Sequence, residues 1–588
     1  MSVFKFDQFG GEIPGLDARL LPDMNAVYAE NAFLQAGRLE PLAADIPIHT
    51  LADPSMRYAF RVPIQNPGIE NIPDSWWLEF QYADTFVVRS PVSELADGGR
   101  YYWADGHNLP GYTTYDRVST GQPSLVLGIP QPEHAPGLTV SGGAAPTETR
   151  AYVYTWVSAS FEEGQPSPPS VATGNASGTW NLTFTAPTPA DIANRTLTKT
   201  RIYRTEVGTD GSVAFFFVDE IPITTLAYAD TVSEDIVSNS LILPSTDWSP
   251  PPSTLAGLVS MPNGMVAGWT GNEVWFCEPY YPHAWPVKYM QTVESPIVGL
   301  GTIDQNLMIL TAGQPYVATG VAPSAITLAK VQPLEPCTSP GSIVQVPGGV
   351  LYASNNGLIQ IGPTGGVNVT YSMIRKDEWL RLFNLRTLQA SYFMNGYYCY
   401  SSAIDGVFQT DSFQAGDPAD PSETLDAYQV EDFFATQVGA HISQDQRLGF
   451  MTLTCTSPTY NVMTDLWTGE TFVLRNGQVF HVDRRQYDPK QSYTWQSKIL
   501  QLPYKDNMAA AKIFYDLPSG LPPDPSVQNL FLMYGDGYLK CTQPIPPSGQ
   551  QFRLPSGYKA DFYQFVLQGQ LMIYNMQVAT SARELRGI

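Results

Sequence analysis

The side chains best suited to chemistry in this 588-residue chain are six histidines, five cysteines and 55 carboxylates. His49, His107, His134, His283, His441 and His481 lie far apart. No two of them stand at the short spacing that aims two imidazoles at one zinc ion. Cys277, Cys337, Cys399, Cys455 and Cys541 form no Cys-x-x-Cys pair, which predicts free buried thiols in a chain folded under reducing conditions. The acidic stretch GDPADPSETLD, from Gly416 to Asp426, offers oxygen ligands but lacks the regular spacing and closing Glu of a calcium loop, so it reads as a solvated loop.

Glycoside hydrolysis needs only two carboxylates about 5–9 Å apart, which any β-propeller can supply. The Ser-x-Asp-x-Gly-x-Thr-Trp repeat of sialidase propellers is absent, and the nearest stretch, TDLWTGETF, does not fit it. Nor is there a G-x-S-x-G elbow, a P-loop, an H-E-x-x-H helix or a dinucleotide fingerprint. Gly348-Gly349 and Gly365-Gly366 read as turns. The residues therefore predict no catalytic centre, no metal and no cofactor.

The elements that would position any site are strands. The chain carries 50 Pro and 48 Gly, is 12% aromatic and only 15% charged, and sets short runs of Tyr, Phe, Val and Thr between Pro and Gly. That profile predicts an all-β, multidomain protein. Residues 1–50 form an apolar arm able to dock, in which Asp23 is placed to cap a short helix carrying Ala26, Ala29, Ala32 and Phe33 and ending at Gly37. Residues 51–145 hold short strands that fit first propeller blades, followed by a Pro-rich connector, Leu125 to Gly137.

Residues 146–250 read as a fibronectin III-like or immunoglobulin-like sandwich. In its strand Lys199 to Arg204 the three cations are expected outward, with Thr, Ile and Tyr inward. Residues 251–500 repeat strand, Gly or Asn turn, strand at about 40–50 residues, the period of propeller blades. They open with the hairpin Met265–Trp269 and Glu273–Cys277 and its aromatic tail, and contain one helix, Ile374 to Asn384. Residues 501–588 are expected to be strands that close the propeller or meet a neighbour.

Charge narrows the function further. The net charge is −23, which disfavours tight nucleic-acid binding but suits a wall past which DNA slides. No Lys or Arg lies between Arg204 and Lys288, nor between Arg386 and Arg447. Such intervals fit a surface of one sign lining a passage, as well as an ordinary solvated face. Candidate channel acids in the second interval are Asp405, Asp411, Asp417, Asp420, Glu423, Asp426, Glu431 and Asp432. No apolar run reaches the roughly 20 residues of a membrane span, and the first 30 residues have no signal-peptide pattern.

Several stretches together resemble the tail nozzle, or tail tubular protein B-like, components of short-tailed bacteriophages. They are GGEIPGLDARLLPDMNAVYAENAFLQAGRLEPL, LGIPQPEHAP, RAYVYTWVSASFEEGQPSPPS, MPNGMVAGWTGNEVWFCEPYYPHAWP, YTWQSKIL and FRLPSGYKADFYQF. The resemblance implies a β-propeller with an inserted sandwich and further strands forming a tube segment. It implies a homohexameric ring in the virion tail, assembled in the host bacterial cytoplasm. Portal or adaptor ring proteins would be neighbours on one side, and tail fibres or distal tail proteins on the other. Double-stranded DNA would pass through without sequence-specific binding. The competing expectation is a propeller that binds or degrades host glycans, with Trp76, Trp77, Trp103, Trp269, Trp275 and Trp285 as stacking residues or, alternatively, as blade core.

Overall fold

The hairpin Met265–Thr270 and Glu273–Phe276 turns through Gly271 and Asn272, with Gly271 at φ +59°. A positive φ at the first loop position suits glycine and matches the right-handed twist of the strands. Flanked by Ala256–Met261 and Gln291–Thr292, the hairpin forms a four-stranded antiparallel sheet in simple chain order. This unit recurs. The computed structural model describes residues 3–586 except 35, 63–75, 92–98, 145, 208–212, 403–436, 444–448, 455–457, 466–467 and 485.

Seven sheets stand around a ring, the first two-stranded among the described residues and the sixth running on into a larger sheet. Blade one is Tyr58–Arg61 with Trp77–Phe80, and blade two runs from Phe86–Arg89 to Leu125–Val126. The hairpin sheet is blade three. Blade four runs from Ile297–Ile303 to Thr327–Lys330, and blade five from Val344–Val346 to Gly365–Asn368. Blade six runs from Gln389–Phe393 to Phe450–Leu453. Blade seven takes Thr459–Thr464, Thr471–Arg475 and Gln478–His481, and completes itself with Ile46–Thr50 from the start of the chain.

Each neighbouring pair of blades shares its own apolar cluster. Leu51, Trp77 and Phe472 join blades seven and one, while Val62 and Tyr101 join one and two. Tyr102, Leu258 and Trp285 join two and three, and Ala267 with Leu300 joins three and four. Met308 with Tyr352, Leu351 with Tyr397, and Tyr400 with Val473 complete the circuit. The clusters close into a ring, so the fold is a seven-bladed β-propeller.

Between blades two and three the chain leaves to build a sandwich. Gly137–Ser141, Thr179–Thr183 and Ala227–Asp230 form a three-stranded sheet. It faces a four-stranded sheet of Ser170–Asn175, Thr147–Ser158, Leu197–Val207 and Val213–Pro222. Tyr152, Tyr154, Trp180 and Ile202 fill the space between. The sheet register shifts between Ile202 and Tyr203, and Ile202, Tyr203 and Arg204 are all buried. Arg204 therefore points inward, contrary to the outward expectation, because a buried carboxylate, Asp230, awaits it at 2.7 Å.

The arm corrects a second expectation. Ala26–Glu30 is a strand and Ala32–Phe33 pairs with Glu40–Pro41, so the helix capped by Asp23 does not form. Alanine favours helix locally, but Ala26–Glu30 bonds to Tyr493–Ser497 and touches Phe450–Leu453. Through it blade six continues into the C-terminal strands as one ten-stranded sheet. That sheet packs on a second one made of Val3–Phe6, Met572–Ala579, Ala510–Asp516 and Gln551–Arg553. Tyr493–Ser497 already belongs to this C-terminal unit, so the propeller ends at His481 rather than near residue 500. The expected helix within 374–384 spans Lys376–Leu382.

Candidate functional site

The eight candidate channel acids, Asp405 to Asp432, lie outside the described residues. In the first basic-free interval the structure places acids against cations from outside it. Glu206 pairs with Arg204, Glu220 with Lys199 and Arg201, and Asp247 with Lys288. Asp230 is wholly buried. Those carboxylates do not form a surface of one sign.

Four of the six histidines meet side-chain partners, His134 is exposed, and the His441 side chain lies outside those described. His49 lies 3.0 Å from Glu79 and stacks on Trp77, while His107 stacks on Tyr82. His481 sits 3.2 Å from Glu470. That contact, helped by Arg61, pulls the Glu470 carboxyl down to about 2. Cys277, Cys337, Cys399 and Cys541 are buried free thiols, and burial pushes Cys277 and Cys337 up to about 12, so neither is a nucleophile at neutral pH. Among the described residues no three His, Cys, Asp or Glu side chains converge to hold a metal ion.

What the buried charges do is cross domain boundaries. The turn after the sandwich strand Thr147–Ser158 carries Glu162 and Glu163. Glu162 accepts from Arg100 of blade two at 2.6 Å, and His283 of the hairpin tail lies 3.8 Å away. All three are buried. Burial lowers the His283 imidazole from its ordinary value, with Glu162 opposing, so it is held neutral beside the Arg100–Glu162 pair. Glu163 accepts from Thr155, Tyr203 and Arg201 at 2.7–2.8 Å, which anchors the turn to the sandwich.

Inside the sandwich, Asp230 accepts from Arg204 and from the Tyr152 hydroxyl, each at 2.7 Å. At the far side, Arg475 of blade seven reaches Asp45 at 2.6 Å, and donates to Tyr400 and Thr459. The arm is bound similarly. Phe6 and Phe9 meet Trp495 edge-on, and the Trp495 indole donates to the Gly10 carbonyl at 3.0 Å. Glu12 exchanges both backbone bonds with Phe450, and its carboxyl accepts from Ala29 N–H and Thr452 Oγ1. Burial raises that carboxyl to about 7 despite these bonds, with Glu30 adding to the rise.

Of the tryptophans considered for stacking on sugars, Trp76, Trp77 and Trp285 are buried, and Trp103, Trp269 and Trp275 are half-buried. Trp77, Trp269, Trp275 and Trp285 belong to or pack on inter-blade clusters, and Trp103 meets Phe80. Exposed tyrosines also stand in the hairpin tail, where Tyr280 and Tyr281 lie beside the half-buried Trp248. Sequence reading missed Arg204, Glu162 and Trp248. For Arg204 the strict period-two parity of Thr200, Ile202 and Arg204 was the available signal.

No family model matches the sequence, and no curated protein matches it. Solved structures that resemble it include BBS1N in complex with ARL6DN, at 8% identity, TM-score 0.25, covering 54% of this chain and 90% of that one. Sqt1 of Saccharomyces cerevisiae aligns at 9% identity, TM-score 0.23, over 65% of this chain and 92% of its own. The N-terminal domain of Nup159 aligns at 8% identity, TM-score 0.20, over 48% and 86%. These likenesses carry no argument about what the chain does. Its class, an all-β propeller protein with an inserted sandwich, rests on the ring of blades itself.

Proposed function

We propose that the chain is a structural virion protein of a short-tailed phage, forming the distal tail tube through which genome DNA is ejected. The observation that carries this reading is the use made of its buried polar groups. Arg100–Glu162 ties sandwich to propeller, Trp495–Gly10 and Glu12–Phe450 tie the arm to the ten-stranded sheet, and Arg475–Asp45 ties the arm to blade seven. Removing one partner of a buried ion pair such as Arg100–Glu162 costs about 3–5 kcal/mol by stranding the other charge, so these contacts fix where the domains sit. A fixed placement suits a ring component that keeps its shape while DNA passes. The resemblance supplies the rest: a homohexamer, portal or adaptor neighbours, and a platform for fibres. The net charge of −23 suits a wall to which DNA does not adhere.

Native mass spectrometry and electron microscopy of the purified protein and of assembled tails test the reading. The expected result is a closed ring, of six copies, located in the tail. A protein that stays monomeric and is missing from virions overturns it.

A further inference from the structure

The aromatic tail of the blade-three hairpin is not used by the conduit reading, and its geometry is specific. Residues 278–284 form a tight turn: Tyr281 N–H donates to Glu278 O, Ala284 N–H to Tyr281 O, and Glu278 N–H to Ala284 O. Tyr280 adopts φ +66°, a conformation a bulky residue rarely holds. Its ring lies across Gly264, where any Cβ would sit 2.4 Å from it. That pose leaves Tyr280 58% exposed and Tyr281 45% exposed.

Trp248, on the linker leaving the sandwich, approaches Tyr281 at 4.6 Å with a 34° tilt, and His283 closes the inner edges of both. The linker itself is fixed, since Trp285 N–H donates to Ser249 O at 2.7 Å. Charged and polar residues neighbour these rings along the chain. Asp247 binds Lys288 at 2.7 Å, and Glu278 accepts from the Tyr289 hydroxyl at 2.9 Å. Each carboxylate gives one oxygen to that partner, and its other oxygen has no protein partner among the described residues.

We infer that Trp248, Tyr280 and Tyr281, with Asp247, Glu278 and Lys288, form a binding platform for a neutral pyranose saccharide. A pyranose ring presents an apolar C–H face that lies on aromatic rings, and a rim of hydroxyls that seek carboxylate acceptors and ammonium donors. The turn and linker supply both, and their backbone hydrogen bonds hold the rings in place, so little ordering entropy of the backbone opposes binding. Two carboxylates against one ammonium disfavour anionic sugars. No bond is made or broken: this is recognition, independent of whether the chain forms a tube.

Titration of the full-length protein with maltoheptaose, cellohexaose and N-acetylchitohexaose, followed by calorimetry and by NMR of the sugar, tests the assignment. At least one probe is expected to bind saturably, within reach of about 20 mM ligand. Tyr281→Ala and Tyr280→Ala should each weaken it about ten-fold or more, and Trp248→Phe should retain most of it. Tyr504→Ala, which alters an exposed tyrosine of the C-terminal unit, should leave it unchanged. Circular dichroism confirms that each variant is folded. Failure of all three probes to bind the wild type overturns the assignment, as does binding that survives both tyrosine changes in folded protein.

Discussion

At the scale of single residues, two buried charges make different demands. Glu12 is held at about 7 against an ordinary value of 4.5, chiefly by burial. The folded state therefore binds more protons than the unfolded state between those values. Stability is greatest below about pH 4.5, falls as pH rises through 7, and is flat beyond, for a total of roughly 3 kcal/mol. Glu12→Gln is expected to flatten this slope and raise the melting temperature at pH 8. Parallel melting profiles for variant and wild type across pH 5–8 would refute the assignment. Asp230 serves as counter-ion to the wholly buried Arg204. Asp230→Asn should destabilise the sandwich by about 1–3 kcal/mol, because that cation keeps Glu206 but loses a charge-assisted bond to its fully buried carboxylate. Replacing both partners with apolar residues should restore much of the loss, as read by urea unfolding of the full chain.

At the scale of elements, what could be read from the sequence followed from how local each element's reasons are. The blade-three hairpin has alternating apolar residues and a Gly-Asn loop within thirteen positions, and it stands where expected. So does helix Lys376–Leu382, with acids in its first turn and Arg381 in its last. Ala26–Glu30 has helical residues but is a strand, because its reason to be one, Tyr493–Ser497, lies more than 460 residues away. The blade-seven strand Ile46–Thr50 is obscure for the same reason. The aromatic platform was half visible: its tyrosines are in the tail, but Trp248 arrives from the sandwich linker. The inter-domain turn offers an element-scale test. Glu162→Gln leaves Arg100 without its buried carboxylate, so the sandwich should loosen from the propeller. Limited proteolysis is expected to cut the linkers near residues 127–136 and 244–255 faster, while the propeller stays intact. Unchanged cleavage would mean that the Arg100–Glu162 pair does not hold the two domains together.

At the scale of the whole molecule, the ring closes non-covalently between two distant parts of the chain. Ile46–Thr50 pairs with Gln478–His481, and Leu51 N–H donates to Gly477 O at 2.8 Å. His49 also bridges to Glu79 of blade one, and Leu51 enters the cluster shared by blades seven and one. The closure therefore joins strand pairing, a buried polar contact and apolar packing at one place. A propeller with its seam open keeps its other blade contacts but exposes the cluster of Leu51, Trp77 and Phe472, so cooperativity should suffer before the fold is lost. His49→Pro removes a strand N–H and the imidazole together, and a proline inside a sheet is tolerated poorly. The expected outcome is a lower, broader thermal transition, with hydrogen exchange accelerated first in blades seven and one and least in blades three to five. Uniform acceleration around the ring would show instead that the seam is no weaker than any other blade boundary. The same seam lies beside Asp45–Arg475, which leads into the arm and the ten-stranded sheet. Loosening it should therefore also reduce protection of Ala26–Glu30, because that strand precedes the propeller's closing segment on the same arm.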